Sequence, residues 1–165
     1  MARECVLVFG MPPCTDLTST GAAHFATKRE RDPLFQEKAL HLFRSVQRIG
    51  DSAEVPWAIE NPFGVVSSMW RKWDHRFDPF EYGGYLPGDD IHPLWPNYIA
   101  PRDAYPKKTA IWAGCGFRMP QRRPVLPEPG YSRRHRLLGG KGYMTKKIRS
   151  ASPRGFFRAL ALETN

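Results

Sequence analysis

A cysteine and a glutamate, each placed just after an apolar run, are the residues of this chain whose types and spacing could do chemistry. Pro13-Cys14 follows the apolar run at residues 5–10, and Glu60-Asn61 follows a second run at residues 55–59. A thiolate is the protein group best suited to adding to a ring carbon, because it is soft and nucleophilic at accessible pH. A carboxylic acid beside a ring nitrogen stabilises the charge that builds up during the attack. Each residue alone has an ordinary structural interpretation, but together the pair predicts attack on a pyrimidine ring.

The elements around these residues predict that they share one edge of a sheet. The apolar runs at residues 5–10 and 55–60 are typical of strands buried on both faces of a parallel sheet. A helix is predicted over residues 33–49 between them, with Asp32 as its N-cap and Gly50 as its C-terminal stop. A strand–helix–strand unit of this length crosses over right-handed and makes the two strands parallel. The cysteine and the glutamate would then lie at the same sheet edge, where open α/β sheets bind their ligands.

The rest of the chain predicts one more strand and much irregular structure. Residues 71–108 are rich in aromatic residues, proline and glycine, so few regular elements are expected there. A third strand is predicted over residues 109–113. Near the carboxyl terminus, Ser152-Pro153 begins a short helix whose inward side chains are predicted to be Phe156, Phe157, Leu160 and Leu162.

These elements predict an α/β fold with a mostly parallel sheet of four to six strands and flanking helices. At 165 residues and 41% hydrophobic content, the chain is expected to form a single domain. Its α/β core would span residues 1–113, and residues 114–165 would form a loop-rich, basic carboxyl-terminal region.

The charge and the cysteines narrow the class of protein. Lys and Arg number 25 against 16 Asp and Glu, a formal net charge of +9. Such an excess favours nucleic acid or another polyanion as partner, although a basic surface kept for solubility explains it equally well. Three cysteines without paired spacing argue against a disulfide framework and a zinc site. With no apolar run long enough to span a bilayer and no signal-peptide layout, a soluble cytoplasmic protein is expected.

Several segments resemble motifs of one enzyme family. Residues 10–15, Gly-Met-Pro-Pro-Cys-Thr, resemble the Pro-Cys motif of DNA cytosine-5 methyltransferases. Glu60-Asn61-Pro62 is similar to their Glu-Asn-Val motif, with proline for valine as in compact phage-encoded relatives. Residues 82–84 and 105–112 are similar to the family's Tyr-Gly and Pro-Gln-x-Arg segments, and residues 148–156 to the closing segment of its phage-type members. The resemblance implies a partial Rossmann-like methyltransferase fold.

The resemblance also implies roles for individual side chains. Cys14 would add to carbon 6 of a cytosine flipped out of DNA, Glu60 would act at the ring nitrogen, and Lys108 would stand in for the family's arginine. Flipping the base costs roughly a few kcal/mol. The side chains expected to contact the DNA are Pro13, Thr15, Asn61, Arg122, Arg123, Arg133, Arg134, Lys146 and Arg149.

The implied cofactor is S-adenosylmethionine, but its binding loop is not found in this sequence. The family binds that cofactor through a Gly-rich loop and an acidic residue that both precede the Pro-Cys motif, whereas this chain starts at the Pro-Cys strand. Three hypotheses remain. The first is an abbreviated cytosine-5 methyltransferase, with a second chain or a second copy completing the sheet. The others are a DNA-binding remnant without methyl transfer, and a different pyrimidine-modifying enzyme that uses the same cysteine.

Overall fold

The structure is a computed structural model, and it describes residues 6–140 and 142–163. Cys5, the first residue of the predicted first strand, lies outside the described residues. Within them the strands are β1 (Val8–Gly10), β2 (Trp57–Pro62), β3 (His75–Phe77) and β4 (Thr109–Gly114). The α-helices are α1 (Phe25–Arg31), α2 (Phe35–Ala53), α3 (Val66–Met69), α4 (Arg133–Leu137), α5 (Tyr143–Arg149) and α6 (Arg154–Glu163). Short 3₁₀ helices span Ser19–His24, Pro79–Tyr85 and Pro101–Asp103. None of the described helices is both long and apolar enough to cross a membrane.

The four strands form one open sheet in the order β1-β2-β4-β3, so the predicted mixed α/β class is confirmed. β1 and β2 are parallel, as the βαβ pattern predicts. β2 and β4 are antiparallel, with Pro62 opposite Thr109 and Trp57 opposite Gly114. The sheet is therefore mixed, and the prediction of a mostly parallel sheet is wrong. β4 begins at the same edge of the sheet where β2 ends. A parallel β4 would need a crossover, usually a helix packed on the sheet, and the connection contains no helix of that length.

Helix α2 is the predicted helix, shifted and extended. It begins at Phe35 and runs to Ala53, whereas the sequence predicted residues 33–49. Gly50 does not end the helix. A Cβ atom there would lie 2.5 Å from the Trp57 side chain, so the glycine permits close packing of helix on strand. The helix continues to Ala53 and is capped by Glu54, whose φ of 54° lies in the left-handed region.

The chain divides into two compact units, described separately here. The first consists of Met1–Arg76 with Lys108–Arg118, and the second of Phe77–Lys107 with Met119–Asn165. In the first unit α2 packs on one face of the sheet, where Phe43 meets the Trp112 ring edge-on at 5.6 Å between centroids. Trp57 and Ile59 complete that core. The single catalytic domain expected over residues 1–165 stays a prediction.

The second unit is built on α6 and the 3₁₀ helix Pro79–Tyr85. Phe156 was predicted to point inward, and it is fully buried. Its ring stacks on that of Phe77 at 4.3 Å between ring centroids. Tyr82 is also buried; burial raises its pKa to about 12, and its hydroxyl donates to the Pro120 carbonyl at 3.2 Å. Leu162, predicted inward, is 61% exposed. Leu160, also predicted inward, is buried as expected, and Ala159 shares the buried face of the helix.

Candidate active site

Cys14 and Glu60 lie at the same edge of the sheet. β1 and β2 run parallel with Gly10 opposite Ile59, so the carboxyl ends of both strands open at one edge. Glu60 is one residue beyond that pair, and Cys14 lies in the loop that follows β1. Both side chains are partly buried, and Oε1 of Glu60 is fully buried. Adjacent strands are about 4.8 Å apart, so the loop after β1 starts beside the end of β2 that carries Glu60.

Asn61 links the loop that carries the cysteine to the strand that carries the glutamate. Its side-chain Nδ2 donates to the carbonyl of Pro12 at 3.0 Å. Asn61 is 1% exposed, and its Oδ1 accepts no hydrogen bond from the described residues. A buried amide bonded across 49 positions of the chain fixes the loop relative to the strand. The Asn of the Glu-Asn-Pro motif therefore has a positioning role, and its burial leaves little surface for a substrate.

Backbone pairing between the two post-strand loops reinforces this link. The N–H of Val65 donates to Leu17 at 2.8 Å, and the N–H of Ser19 donates to Phe63 at 3.2 Å. Gly64 lies where the loops approach most closely: a Cβ atom there would be 1.9 Å from the Leu17 carbonyl oxygen. Only glycine fits such an approach. The cysteine loop is thus held against the chain that follows Glu60.

The other side of the cysteine loop is held by α1 and by the start of α2. Gln36, which is buried, donates from Nε2 to the Asp16 carbonyl at 3.2 Å. Its Oε1 in turn accepts from Arg29 at 3.2 Å. The Lys28 ammonium pairs with the Asp16 carboxylate. The loop is therefore fixed from two directions, as a catalytic loop must be for its nucleophile to keep one orientation.

The direction of β4 places Lys108 at this same edge. Thr109, the first residue of β4, is paired with Pro62, and Lys108 precedes it with an exposed side chain. A parallel β4 would have put Lys108 at the opposite edge of the sheet. The structure thus collects Cys14, Glu60 and Lys108 at one edge, with Pro13 and Thr15 also exposed there.

The second thiol of this unit has a different environment. Cys115 is exposed, and its Sγ donates to Oδ1 of Asp51 at 3.3 Å. This hydrogen bond to the Asp51 carboxylate raises the pKa of the Cys115 thiol, so the thiolate is disfavoured. Asp51 also accepts from Trp57 Nε1 at 2.6 Å, away from the Cys14 edge. Cys115 is consequently a poor candidate for the nucleophile.

The arginines and lysine expected to contact DNA lie in the second unit and have unlike surroundings. Arg134 is only 4% exposed; its guanidinium lies 4.3 Å from the centre of the Tyr105 ring and donates to the carbonyl of Ala151 at 3.3 Å. Burial gives Arg134 a packing role. Arg133 is part-buried and paired with Glu128 through two hydrogen bonds.

The remaining predicted DNA contacts are more exposed. Arg122 pairs with Glu81 at 2.9 Å, and the Arg123 guanidinium lies 4.5 Å from the centre of the Tyr85 ring. Lys146 and Arg149 are exposed on α5. Arg149 donates to a backbone carbonyl, while Lys146 forms no ion pair with a described residue. Among these side chains Lys146 is the most available to a phosphate.

The described residues do not fit S-adenosylmethionine in the way the family resemblance implies. A glycine cradle needs backbone that a ligand can approach. The space beside Gly10, at the end of β1, is occupied by the Val46 side chain, since a Cβ atom on Gly10 would lie 2.5 Å from it. The space beside Gly64, after β2, is occupied by the Leu17 backbone. Neither glycine leaves room for a cofactor to approach the backbone. Nor do three His, Cys, Asp or Glu side chains of the described residues cluster in a way that could hold a metal ion.

Sequence analysis missed the two residues that do most to hold the cysteine loop, Gln36 and Gly64. A signal existed for each. Gly64 lies two residues after the Glu-Asn-Pro motif, at the end of a strand, where a glycine indicates a close backbone approach. Gln36 is a polar residue on the first turn of a helix whose neighbours Phe35 and Leu40 face the core.

No protein-family model, no curated protein and no solved structure matches this chain. Function therefore has to be inferred from the residues of the site and their geometry.

Proposed function

We propose that this chain is a DNA cytosine-5-methyltransferase-like enzyme that attacks carbon 6 of a flipped cytosine with Cys14. The observation that carries the proposal is the hydrogen bond from Asn61 to the Pro12 carbonyl at 3.0 Å. It joins the nucleophile's loop to the residue next to the acid, at the edge where parallel strands open. A cysteine and a glutamate that merely happened to follow two strands would not need such a buried link.

The proposed addition uses only groups of this chain and the base. The Cys14 thiolate forms a carbon–sulfur bond to carbon 6, and the electrons of the ring double bond move toward carbon 5 and the ring nitrogen. The Glu60 carboxyl gives or shares its proton at that nitrogen, which offsets the charge that develops there. Carbon 5 becomes nucleophilic. A proton taken up there, followed by loss of the original hydrogen and of the thiolate, exchanges the hydrogen of carbon 5 with water.

Lys108 has a supporting role in this proposal. Its exposed ammonium stands at the edge shared with Glu60, where a cation would favour electron density moving onto the base or would bind an adjacent phosphate. The parallel β1–β2 pair with α2 packed against it is consistent with a partial Rossmann-like methyltransferase fold. S-adenosylmethionine would be the methyl donor by resemblance. A second chain or copy that completes the sheet would have to supply its site.

A second candidate is a DNA-binding protein that keeps the base-attacking groups but transfers no methyl group. The filled positions of Gly10 and Gly64 favour it, since they leave no backbone cradle for a cofactor after β1 or β2. A third candidate, a pyrimidine-modifying enzyme that uses Cys14 with another donor, shares the same first step.

The test is release of tritium from duplex DNA labelled at carbon 5 of cytosine. The wild-type protein is expected to release tritium into water, and Cys14→Ser is expected to lose this release. Cys115→Ser is the matched control, because it removes the other described thiol of the same unit and is expected to keep the release. Absence of release from the wild-type protein, or its survival in Cys14→Ser, would contradict the proposal.

A parallel measurement separates the candidates. Labelled methyl transfer from S-adenosylmethionine to DNA, dependent on Cys14, indicates a methyltransferase. Tritium release without methyl transfer indicates a base-attacking enzyme that uses another donor. DNA binding with neither activity leaves the binding protein.

A further inference from the structure

We propose that helix α5 is the DNA-docking element of the second unit, with Tyr143, Lys146 and Lys147 as its contact residues. The choice of DNA among polyanions rests on the proposed function. The location of the contact rests on the described residues of the second unit.

Helical geometry gives α5 one inward and one outward face. Ile148 is 3% exposed and marks the inward face. At 3.6 residues per turn, Lys146 points almost opposite to Ile148, and Tyr143 lies between Lys146 and Lys147 around the helix axis. Tyr143 is 76% exposed, and the Lys147 ammonium lies 6.0 Å from the centre of its ring. One aromatic ring and two ammonium groups therefore face solvent together.

The cations of this face are not neutralised nearby. Residues 129–162 contain nine Lys or Arg and no Asp or Glu. The acidic residue just before them, Glu128, is already paired with Arg133. Among the described residues, neither Lys146 nor Lys147 has an ion-pair partner. The outward face of α5 thus presents an aromatic ring between two ammonium groups that lack an ion-pair partner among the described residues.

Two other cations of the segment, Arg134 and Arg149, and the hydroxyl of Thr145 hold α5 in place. Arg134 is buried and donates to the Ala151 carbonyl beyond the end of α5, while the exposed Arg149 donates to the Leu138 carbonyl beyond the end of α4. Thr145 donates to the Gly139 carbonyl at 3.3 Å. The segment thus divides its polar residues between two tasks. These three fix the backbone, and the outward face of α5 is left for a partner.

The chemistry of that face matches the backbone of duplex DNA. Lysine ammonium groups bind phosphates as point charges and release condensed counterions. A tyrosine hydroxyl is a common donor to phosphate oxygen. An acidic protein surface would also attract the lysines, but it has no condensed counterions, whose release from DNA makes log K fall linearly with the logarithm of the salt concentration.

The experiment measures binding of the full chain to a labelled duplex by fluorescence anisotropy over a range of salt concentrations. The salt slope is the slope of log K against the logarithm of the salt concentration. The variant Lys146→Gln/Lys147→Gln is expected to reduce the size of this slope by about 2, since each phosphate contact contributes about 0.9. Between about 50 and about 200 mM NaCl, the wild-type protein should then lose about tenfold more affinity than this variant. Arg44→Gln/Arg48→Gln, on the exposed side of α2, removes the same charge elsewhere and is expected to keep the wild-type slope.

Equal slopes for the two double variants, an unchanged slope for the α5 variant, or absence of binding by the wild-type protein would each overturn the inference. Tyr143→Phe is expected to weaken binding without changing the slope. A measurement on the unaltered chain guards against misfolding: DNA should protect Lys146 and Lys147, but not Lys38 of α2, from chemical acylation. The anisotropy and acylation measurements do not depend on tritium release, so the docking surface and the proposed chemistry can fail separately.

Discussion

Replacing Gly64 with alanine tests whether the close contact between the two loops positions the nucleophile. The new Cβ atom would lie 1.9 Å from the Leu17 carbonyl oxygen and 2.7 Å from the Thr18 Cα. Both neighbours are backbone atoms, so no side chain can rotate away to make room. Relief requires the loops to separate by more than 1 Å, since non-bonded atoms of this kind sit about 3.5 Å apart at their optimum.

Two effects of different size are expected. Overpacking of this kind costs about 1–3 kcal/mol of unfolding free energy, and the loop pairing that includes the bond from Val65 to Leu17 weakens with it. A protein of this size then loses about 2–10 °C in its melting temperature. Activity should suffer more than stability, because a displacement of about 1 Å at a catalytic group can reduce the rate about 100-fold. Tritium release by Gly64→Ala is therefore expected to fall about 100-fold under conditions where the variant is fully folded.

Urea denaturation and tritium release, measured on the same preparation, provide the comparison. Gly88→Ala is the matched control, since a Cβ atom at Gly88 has no heavy atom within 4 Å. It should match the wild-type protein in both measurements. A Gly64→Ala protein with unchanged stability would show that the loops do not approach as described. A destabilised variant with unchanged tritium release per folded molecule would show that the loop contact does not position Cys14.

Three further comparisons test the assigned roles of buried polar side chains. Asn61→Ala leaves the Pro12 carbonyl without its buried donor, and urea denaturation should show a loss of about 1–3 kcal/mol; no loss would mean that the carbonyl is solvated. Arg134→Gln should lower the urea midpoint while Lys146→Gln leaves it unchanged, because only Arg134 is buried; equal effects would refute this division of roles. Burial raises the pKa of Asp103, so its ionised form opposes folding above that pKa and the wild-type protein gains stability as pH falls through it. The stability of wild type relative to Asp103→Asn should therefore rise on acidification, and a fall would contradict the raised pKa.

Local patterns in the sequence located the elements that carry the site. Short apolar runs predicted β1 and β2, and helical periodicity predicted α2 between them, so the parallel pair followed from the handedness of such units. The boundaries shifted because they depend on tertiary packing. Gly50 was interpreted as a helix stop from its propensity alone, whereas its role is to let Trp57 approach the helix. Such a contact involves residues that the local pattern of the helix does not contain.

The links within the site could not be predicted from patterns. Asn61 was expected to contact the substrate because it follows Glu60 in a motif, but strand alternation turns it to the opposite face from the glutamate, where it reaches Pro12. Similarly, Arg134 belongs to a basic run that predicts a solvated face, yet it is the member that turns inward over Tyr105. A charge run gives the average environment of its members. The side chain that is buried depends on the packing of the short helices around it.

The direction of β4 decides whether Lys108 lies at the same edge of the sheet as Cys14 and Glu60. A mostly parallel sheet and a catalytic Lys108 are incompatible, because a parallel third strand would start at the edge opposite to Cys14 and Glu60. A crossover that keeps strands parallel requires a dozen or more residues, usually as a helix that packs on the sheet. Residues 71–108 contain the short strand β3 and two 3₁₀ helices, and α3 before them has four residues, so this connection has no long helix that packs on the sheet as a crossover helix would. The chain re-enters the sheet at the edge where β2 ends, with Thr109 opposite Pro62. The antiparallel direction of β4 therefore brings Lys108 to the edge that carries Cys14.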